Sequence, residues 1–228
     1  MRRVIFGLVA LLVIVAVGVG VYLYVSGGNA EPSAEISSEQ LVASSSSQTV
    51  FRINPEESVV RFILNEELRG QPTTVIGETN QVTGDVVVDF ANPTATTIGM
   101  VRVNARTLET DNGLRNRAIR GQILQSSRDE FEFAEFTPTA LVGLPETVIT
   151  GQPFSFQIVG DLTVRDITQE VTFDATVTPV SENQLTGSAA AVVQRGDYNL
   201  TIPSVPGVAN VSEEVRLELD FVANAVEA

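Results

Sequence analysis

The sequence predicts an all-β domain, either a sandwich or a closed antiparallel barrel of about eight strands, with one short helix. Three observations point there. Apolar and polar residues alternate over long stretches, turn signals recur between them, and only one segment has helical spacing. The clearest alternation is "SFQIVGDLTV", which puts Phe156, Ile158, Gly160, Leu162 and Val164 on one face. After "RDITQE" it resumes with Val171, Phe173, Ala175 and Val177. Period two over this length marks strands with one wet and one dry face.

Taken from the N-terminus, the chain opens with Arg2 and Arg3 before 22 uncharged residues, Val4–Val25. As a helix at ~1.5 Å per residue that run reaches roughly 33 Å, enough to cross a bilayer core. Residues 1–25 are therefore expected to form a single transmembrane anchor, with the arginines holding the N-terminus in the cytoplasm. The rival reading is a signal peptide cleaved after Ala30, although a cleavable apolar core usually spans only ~7–15 residues. The anchor makes this a single-pass plasma-membrane protein with its domain outside; cleavage makes it secreted or periplasmic. Residues 26–48, rich in Ser, Gly and Glu without periodicity, read as a flexible linker. Residues 49–228 are the domain.

Within it, "VVRFIL" presents Val60, Phe62 and Leu64 on one face. "VTGDVVVDF" presents Val82, Val86, Val88 and Phe90 opposite Asp85 and Asp89, and "IGMVRVNA" presents Val101, Val103 and Ala105. "LTGSAAAVV" offers Leu185, Gly187, Ala189, Ala191 and Val193, and "VRLELDFVA" offers Val215, Leu217, Leu219 and Phe221. Turn signals such as "ANPT", "LPET", "TPVSENQ" and "VPGVAN" separate several of these strands. The exception is "TDNGLRNRAIRGQILQ" (Thr110–Gln125). It has Asp and Asn capping candidates, and its i, i+4 apolar pairs predict a short helix or helical turns. A long crossover holding a small helix suits a barrel, one end of which the helix can cover.

Composition excludes several chemistries. His, Cys, Trp and Lys are absent, and every basic side chain is arginine. That removes histidine-based nucleophile systems, a lysine Schiff base, zinc held by His or Cys, and disulfides. Net charge is −14; setting aside Arg2 and Arg3 leaves 12 Arg against 28 acids, or −16. Such a surface repels nucleic acid and anionic headgroups.

These segments, in this order, resemble the YceI-like, lipid/polyisoprenoid-binding family of bacteria, from about Phe51 to Ala223. The pieces are "FRINPEESVVRFIL", "GDVVVDF", "VRVNARTLETDNGLRNRAIRG", "IVGDLTVRDITQEVTF", "VVQRGDYNLTIP" and "EEVRLELDFVA". Asp166 and Asn199 stand where the family carries glycine. Both residue types tolerate the positive φ a glycine there serves.

The resemblance implies a lipocalin-like closed barrel that holds an isoprenoid or similar amphiphile, such as a polyprenol or isoprenoid quinone, without catalysis and without a cofactor. The cavity wall would comprise Phe62, Leu64, Val86, Val88, Val101, Val103, Phe133, Phe156, Ile158, Leu162, Phe173, Ala189, Ala191, Leu217 and Leu219. Small residues at Gly160, Gly187, Ala189 and Ala191 are expected to leave room for the guest, each enclosed methylene of which contributes ~0.8 kcal/mol. Arg115, Arg117 and Arg120 are candidates for contact with a polar head group at the mouth. Partners are then an apolar lipid and the membrane, not nucleic acid; a homodimer is compatible with the sequence.

Blander readings stand beside these. Alternating apolar strands ordinarily pack a solid core, which would make this a cell-surface structural or protein-binding β-sandwich. In "DEFEFAEF", Glu130, Glu132 and Glu135 fit a solvated strand edge better than a glycosidase carboxylate pair. Arg195 and Tyr198 read as structural, locking a strand end. The "RGD" tripeptide and the "NLT" and "NVS" sequons carry no further expectation.

Overall fold

The computed structural model describes residues 31–33 and 36–226. The expected transmembrane run at 4–25 lies outside the described residues, among which no helix is long and apolar enough to cross a membrane.

Among the described residues one antiparallel sheet of 13 strands forms the fold, more than the roughly eight expected, partly because several are two-residue pieces such as Val82–Thr83, Thr97–Ile98 and Val208–Ala209. In chain order these are β1 (Gln48–Ile53), β2 (Val59–Leu68), β3 (Gln71–Thr79), β4 (Val82–Thr83), β5 (Asp85–Asp89), β6 (Thr97–Ile98) and β7 (Val101–Asn104). They continue as β8 (Phe133–Val142), β9 (Phe154–Val164), β10 (Ile167–Ser181), β11 (Gln184–Gln194), β12 (Val208–Ala209) and β13 (Glu214–Ala225). Pairing runs β4-β7-β8-β9-β10-β11-β13-β1-β5-β6; β2 also lies on β13 and carries β3 and β12. β1 and β2 follow one another along β13, with Ile53 opposite Ala223 and Val59 opposite Asp220. The sheet is thus curled.

The strand wall is incomplete, which corrects the closed barrel expected from the sequence. β3 pairs only with β2, and its outer edge carries the isolated bridge Glu78–Glu109. The chain after β7 pairs with that edge only at Glu109. At the end of β7, Asn104 accepts a hydrogen bond from the Arg106 backbone N–H at 3.0 Å and turns the chain into a 3-10 helix, Ala105–Thr107. Two helical pieces cover the gap instead: α1 (Gly113–Ala118) and a π-helical turn, Ile119–Ile123. The Asn112 side chain caps α1 as expected, accepting from the amides of Leu114 and Arg115 at 2.9 and 3.2 Å.

At the β9–β10 hairpin the positive φ falls on Arg165 (59°), not on Asp166, whereas Asn199 does adopt the left-handed conformation (φ 50°). The two-residue turn between β2 and β3 uses Arg69 and Gly70, both at positive φ, as a tight hairpin requires.

The interior is filled unevenly. At one end Phe51, Val88, Phe156, Ala175, Val177, Leu185, Ala189 and Ala223 pack into a solid core, with Phe51 and Ala223 wholly enclosed. Gly160 and Gly187 do not leave the room expected of them, because phenylalanine rings lie over both. A Cβ on Gly160 would sit 2.5 Å from the Thr137 carbonyl oxygen and 2.6 Å from the Phe136 ring, and one on Gly187 2.5 Å from the Thr176 carbonyl oxygen and 2.9 Å from the Phe221 ring. Both glycines are seats for aromatic rings.

Outside the sheet, buried charges tie down the segment before β1. Asp85, 1% exposed, receives both forks of Arg52 (2.8 and 2.9 Å) and the Leu41 amide (3.1 Å). Glu132 is likewise buried rather than on a solvated edge. It accepts from the Ser33 amide and hydroxyl (2.7 and 2.8 Å) and from Asn104 (2.8 Å), and pairs with the buried Arg106 at 3.3 Å. Burial pushes the Glu132 carboxyl up, but the Ser33 and Asn104 hydrogen bonds and the Arg106 charge outweigh it and hold the group below its ordinary value. Arg102 adds a bond to the Ser37 carbonyl at 2.8 Å. Where it is described, the linker runs along the domain.

Two outcomes are expected. Gly160→Ala should destabilise the domain by about 1–3 kcal/mol in urea denaturation, and adding Phe136→Leu should recover part of that loss. Because the Glu132 pKa is lowered on folding, its contribution is present at neutral pH and lost as pH falls below ~4.3 through the folded value. Amide exchange at Ser33 should therefore lose protection on acidification, and Glu132→Gln should lose it at neutral pH.

Candidate functional site

At the end opposite the solid core, the dry faces of the strands do not meet. They enclose a cavity of about 480 Å³, within the range of ~300–1,000 Å³ usual for small-molecule sites. Its strand walls come from β2, β3, β6, β7, β8, β9, β10, β11 and β13. α1, the π turn and the segment between Tyr198 and Val211 complete it.

Of the wall residues read from the sequence, Phe62, Leu64, Val101, Val103, Phe133, Ile158, Leu162, Phe173, Ala189, Leu217 and Leu219 line this space. Val86, Val88, Phe156 and Ala191 do not. Val86, Val88 and Phe156 belong to the solid core at the far end, and Ala191 packs with Phe136, Leu162, Val171 and Tyr198. For the first three the reason is position along the strand: alternation identifies the inward face, but not how far along it the filling stops. Ala191 lies between the lining residues Ala189 and Val193 and is covered by its larger neighbours. Many lining side chains, Phe62, Val101, Val103 and Leu217 among them, remain only half-buried although they point inward.

The structure adds wall residues from outside the alternating strands. Leu108, Ala118, Ile119, Ile123 and Leu124 come from the helical cover and the turn leading into it, where helical spacing marks Ala118, Ile119 and Ile123 without assigning them to the wall. Leu200, Ile202, Pro203, Val205, Val208 and Val211 come from the stretch "NLTIPSVPGVANV", which reads as turn because of its prolines and glycine. Its apolar residues fall every two or three positions, a signal that a half-buried rim would leave.

The arginines expected at the mouth separate. Arg115 lines the cavity but is committed to carboxylates, with Nη2 2.7 Å from Glu66 and Nη1 2.6 Å from Asp111. Glu66 is itself buried on β2, so this pair fastens α1 to the strand across the cavity. Arg117 and Arg120 are not lining residues; Arg120 Nη1 reaches the Leu108 carbonyl at 3.5 Å. Arg195 locks its loop as expected, donating to the Ser212 and Leu200 carbonyls (3.1 and 3.0 Å) and pairing with Glu213.

Tyr198 is more than a lock. It is 2% exposed and lines the cavity, and its hydroxyl has no hydrogen-bond partner. Burial, with a smaller contribution from Asp197, pushes its phenol up to about 12. Arg165 also lines the cavity; its Nε is buried without a partner, while the guanidinium lies 5.7 Å from the centre of the Phe131 ring.

An antiparallel sheet curled around an apolar cavity, solid at one end and covered by a short helical segment elsewhere, defines a β-protein with a hollow interior. A family model for the YceI-like domain matches residues 51–223. The chain belongs to the YceI-like family, as its sequence motifs suggested.

Solved structures share the fold. A polyisoprenoid binding domain from Saccharophagus degradans aligns over 78% of this chain and 99% of its own at 12% identity, with a TM-score of 0.61. Burkholderia cenocepacia BcnA aligns over 75% and 99% at 16% identity, TM-score 0.58. A mutant Campylobacter jejuni YceI protein aligns over 86% and 95% at 12% identity, TM-score 0.52. No curated protein sequence matches the chain.

The unpartnered hydroxyl makes Tyr198→Phe informative. Removing a buried donor that bonds nothing should raise stability by about 1 kcal/mol rather than lower it. The raised phenol pKa means that the unfolded chain releases this proton first, so stability should fall as pH rises from ~10 to the folded value. A spectrophotometric titration of wild type minus Tyr198→Phe should show one tyrosine ionising near 12.

Proposed function

We propose that this protein binds an isoprenoid or similar amphiphilic lipid in the cavity and performs no catalysis. The observation that carries the reading is the apolar space of about 480 Å³ left between inward strand faces that could have been packed. The binding named for the Saccharophagus degradans relative supports the ligand class. Enclosure of a hydrocarbon tail contributes ~0.8 kcal/mol per methylene without any directional contact. The helical cover between β7 and β8 completes the container where the strand wall is open, and the Arg115–Glu66 pair fastens it there.

The location belongs to the same proposal. The run Val4–Val25 anchors the chain in the plasma membrane, and the segment after it holds the domain on the outer side, within reach of lipids leaving the bilayer. The anionic domain keeps clear of the headgroup surface while the cavity takes up the tail.

A bulky residue placed in the cavity separates this reading from a solid β-sandwich. Val103→Trp should lower saturable binding of a fluorescent apolar probe at least tenfold without lowering the melting temperature, since the ring enters free space. Val88→Trp, in the solid core, should destabilise the domain by about 1–3 kcal/mol. If Val103→Trp destabilises to the same degree and the wild type binds no probe that polyprenols displace, the proposal fails.

A further inference from the structure

The segment before β1 is held along the domain by contacts that follow one direction. At the start of β1 the Ser47 hydroxyl donates to Asp89 at 2.7 Å, and Gln48 stands opposite that same residue. Further back along the chain, the Leu41 amide donates to the buried Asp85 carboxylate. The Leu41 side chain presses on Gly99, where a Cβ would lie 3.2 Å from Leu41 Cγ. The Ser37 carbonyl accepts from Arg102 on β7. Ser33 then donates twice to Glu132, and the Glu31 carbonyl accepts from Arg106 Nη1 at 2.8 Å.

Those contacts lead from the solid end to the cavity end. Asp89 adjoins Val88 of the solid core, whereas Arg106 lies between Ala105 and Leu108, which both line the cavity. The chain thus enters β1 at one end of the domain after being carried there from the other. At the cavity end the space also opens, because its lining residues Arg69, Leu114 and Pro206 are exposed. The contacts hold firmly: Asp85, Arg106 and Glu132 are buried charges, and each would lose a hydrogen-bond partner if the segment left.

Resting on the proposed membrane anchor, we infer that the segment ahead of β1 is a strap that turns the cavity end of the domain toward the bilayer, making that end the surface across which lipid passes. Reach decides the matter. Residues 26–30 lie between Val25, where the apolar run ends, and Glu31. Fully extended, that stretch spans at most roughly 22 Å. Were the segment free as far as Gln48, the domain could stand about 80 Å from the bilayer in any orientation. Strapped, it is leashed closely and by one end, the end at which the cavity opens.

Energy transfer to the bilayer tests this on the full-length protein. The chain has no cysteine, so Asp166→Cys in the β9–β10 turn and Glu182→Cys in the β10–β11 turn each create a single labelling site. Both positions are exposed, and each substitution removes one carboxylate. Each variant is reconstituted into phosphatidylcholine vesicles bearing an acceptor dye on the headgroups, then labelled from outside with an impermeant donor. β10 separates the turns by 15 residues, roughly 50 Å at ~3.3 Å each, so transfer from position 166, at the cavity end, should exceed that from 182 at least about threefold.

Inserting about 20 Gly and Ser residues after Ala30 adds roughly 25 Å of reach without touching the strap, and should bring the two transfer efficiencies together. Equal transfer from both positions without the insertion, or greater transfer from 182, overturns the inference and leaves the anchor standing if the protein floats with the vesicles. A contrast that survives the insertion also overturns it, because something other than the short leash then orients the domain. Protein that does not float with the vesicles overturns the anchor and the inference together.

Discussion

A sheet that curls brings all its inward side chains toward one axis, and the space along that axis has to be filled or walled. This protein does each at a different end. Around Phe51, Phe156 and Ala223 the rings and methyl groups interlock, and the strands hold one another at core density. Beyond Ile158 and Phe173 the same faces carry valines and leucines that do not span the gap, and a cavity opens. The solid end gives the sheet its stability and leaves the other end free to hold space. Glycines refine the arrangement: at Gly160 and Gly187 a ring lies against the backbone, and any side chain there would push it inward.

With no cysteine available, the domain has to secure its edges with charge and hydrogen bonds. It does so in arginine–carboxylate pairs that are buried by neighbouring chain rather than by the sheet itself. Residues of the segment before β1 cover Asp85 and Glu132 and donate hydrogen bonds to both. A carboxylate with several donors remains ionised when buried, as the lowered pKa of Glu132 records. The Arg115–Glu66 pair applies the same device at the cavity, joining the helical cover to β2.

Those pairings also set the charge around the cavity. A cavity bordered by several arginines looks, from composition, like a trap for anions. In the fold most of that charge is answered by carboxylates. The phenol of Tyr198, pushed further up by burial, lies without a hydrogen-bond partner in apolar surroundings, where absent hydrogen bonds are costly. Apolar walls with a few placed polar groups are the usual recipe for orientation and selectivity in such sites.

The sequence by itself determined the all-β class, the strand faces, the capped helical segment after Thr110 and the family, because alternation, capping and turn chemistry are local and leave local traces. It also marked most of the cavity wall, since Phe62, Val101, Leu162 and Leu217 follow from facing inward. Tertiary structure alone decided where along each strand packing ends and space begins, which moved Val86, Val88 and Phe156 out of the wall, and which small residue larger neighbours cover, which moved Ala191. It decided too that β3 lacks a second strand neighbour, that "NLTIPSVPGVANV" rims the cavity, and that Arg115 is already paired while Tyr198 is not. Each of these depends on which distant residues meet, and pairing across the chain is a property of the folded sheet that no local pattern encodes.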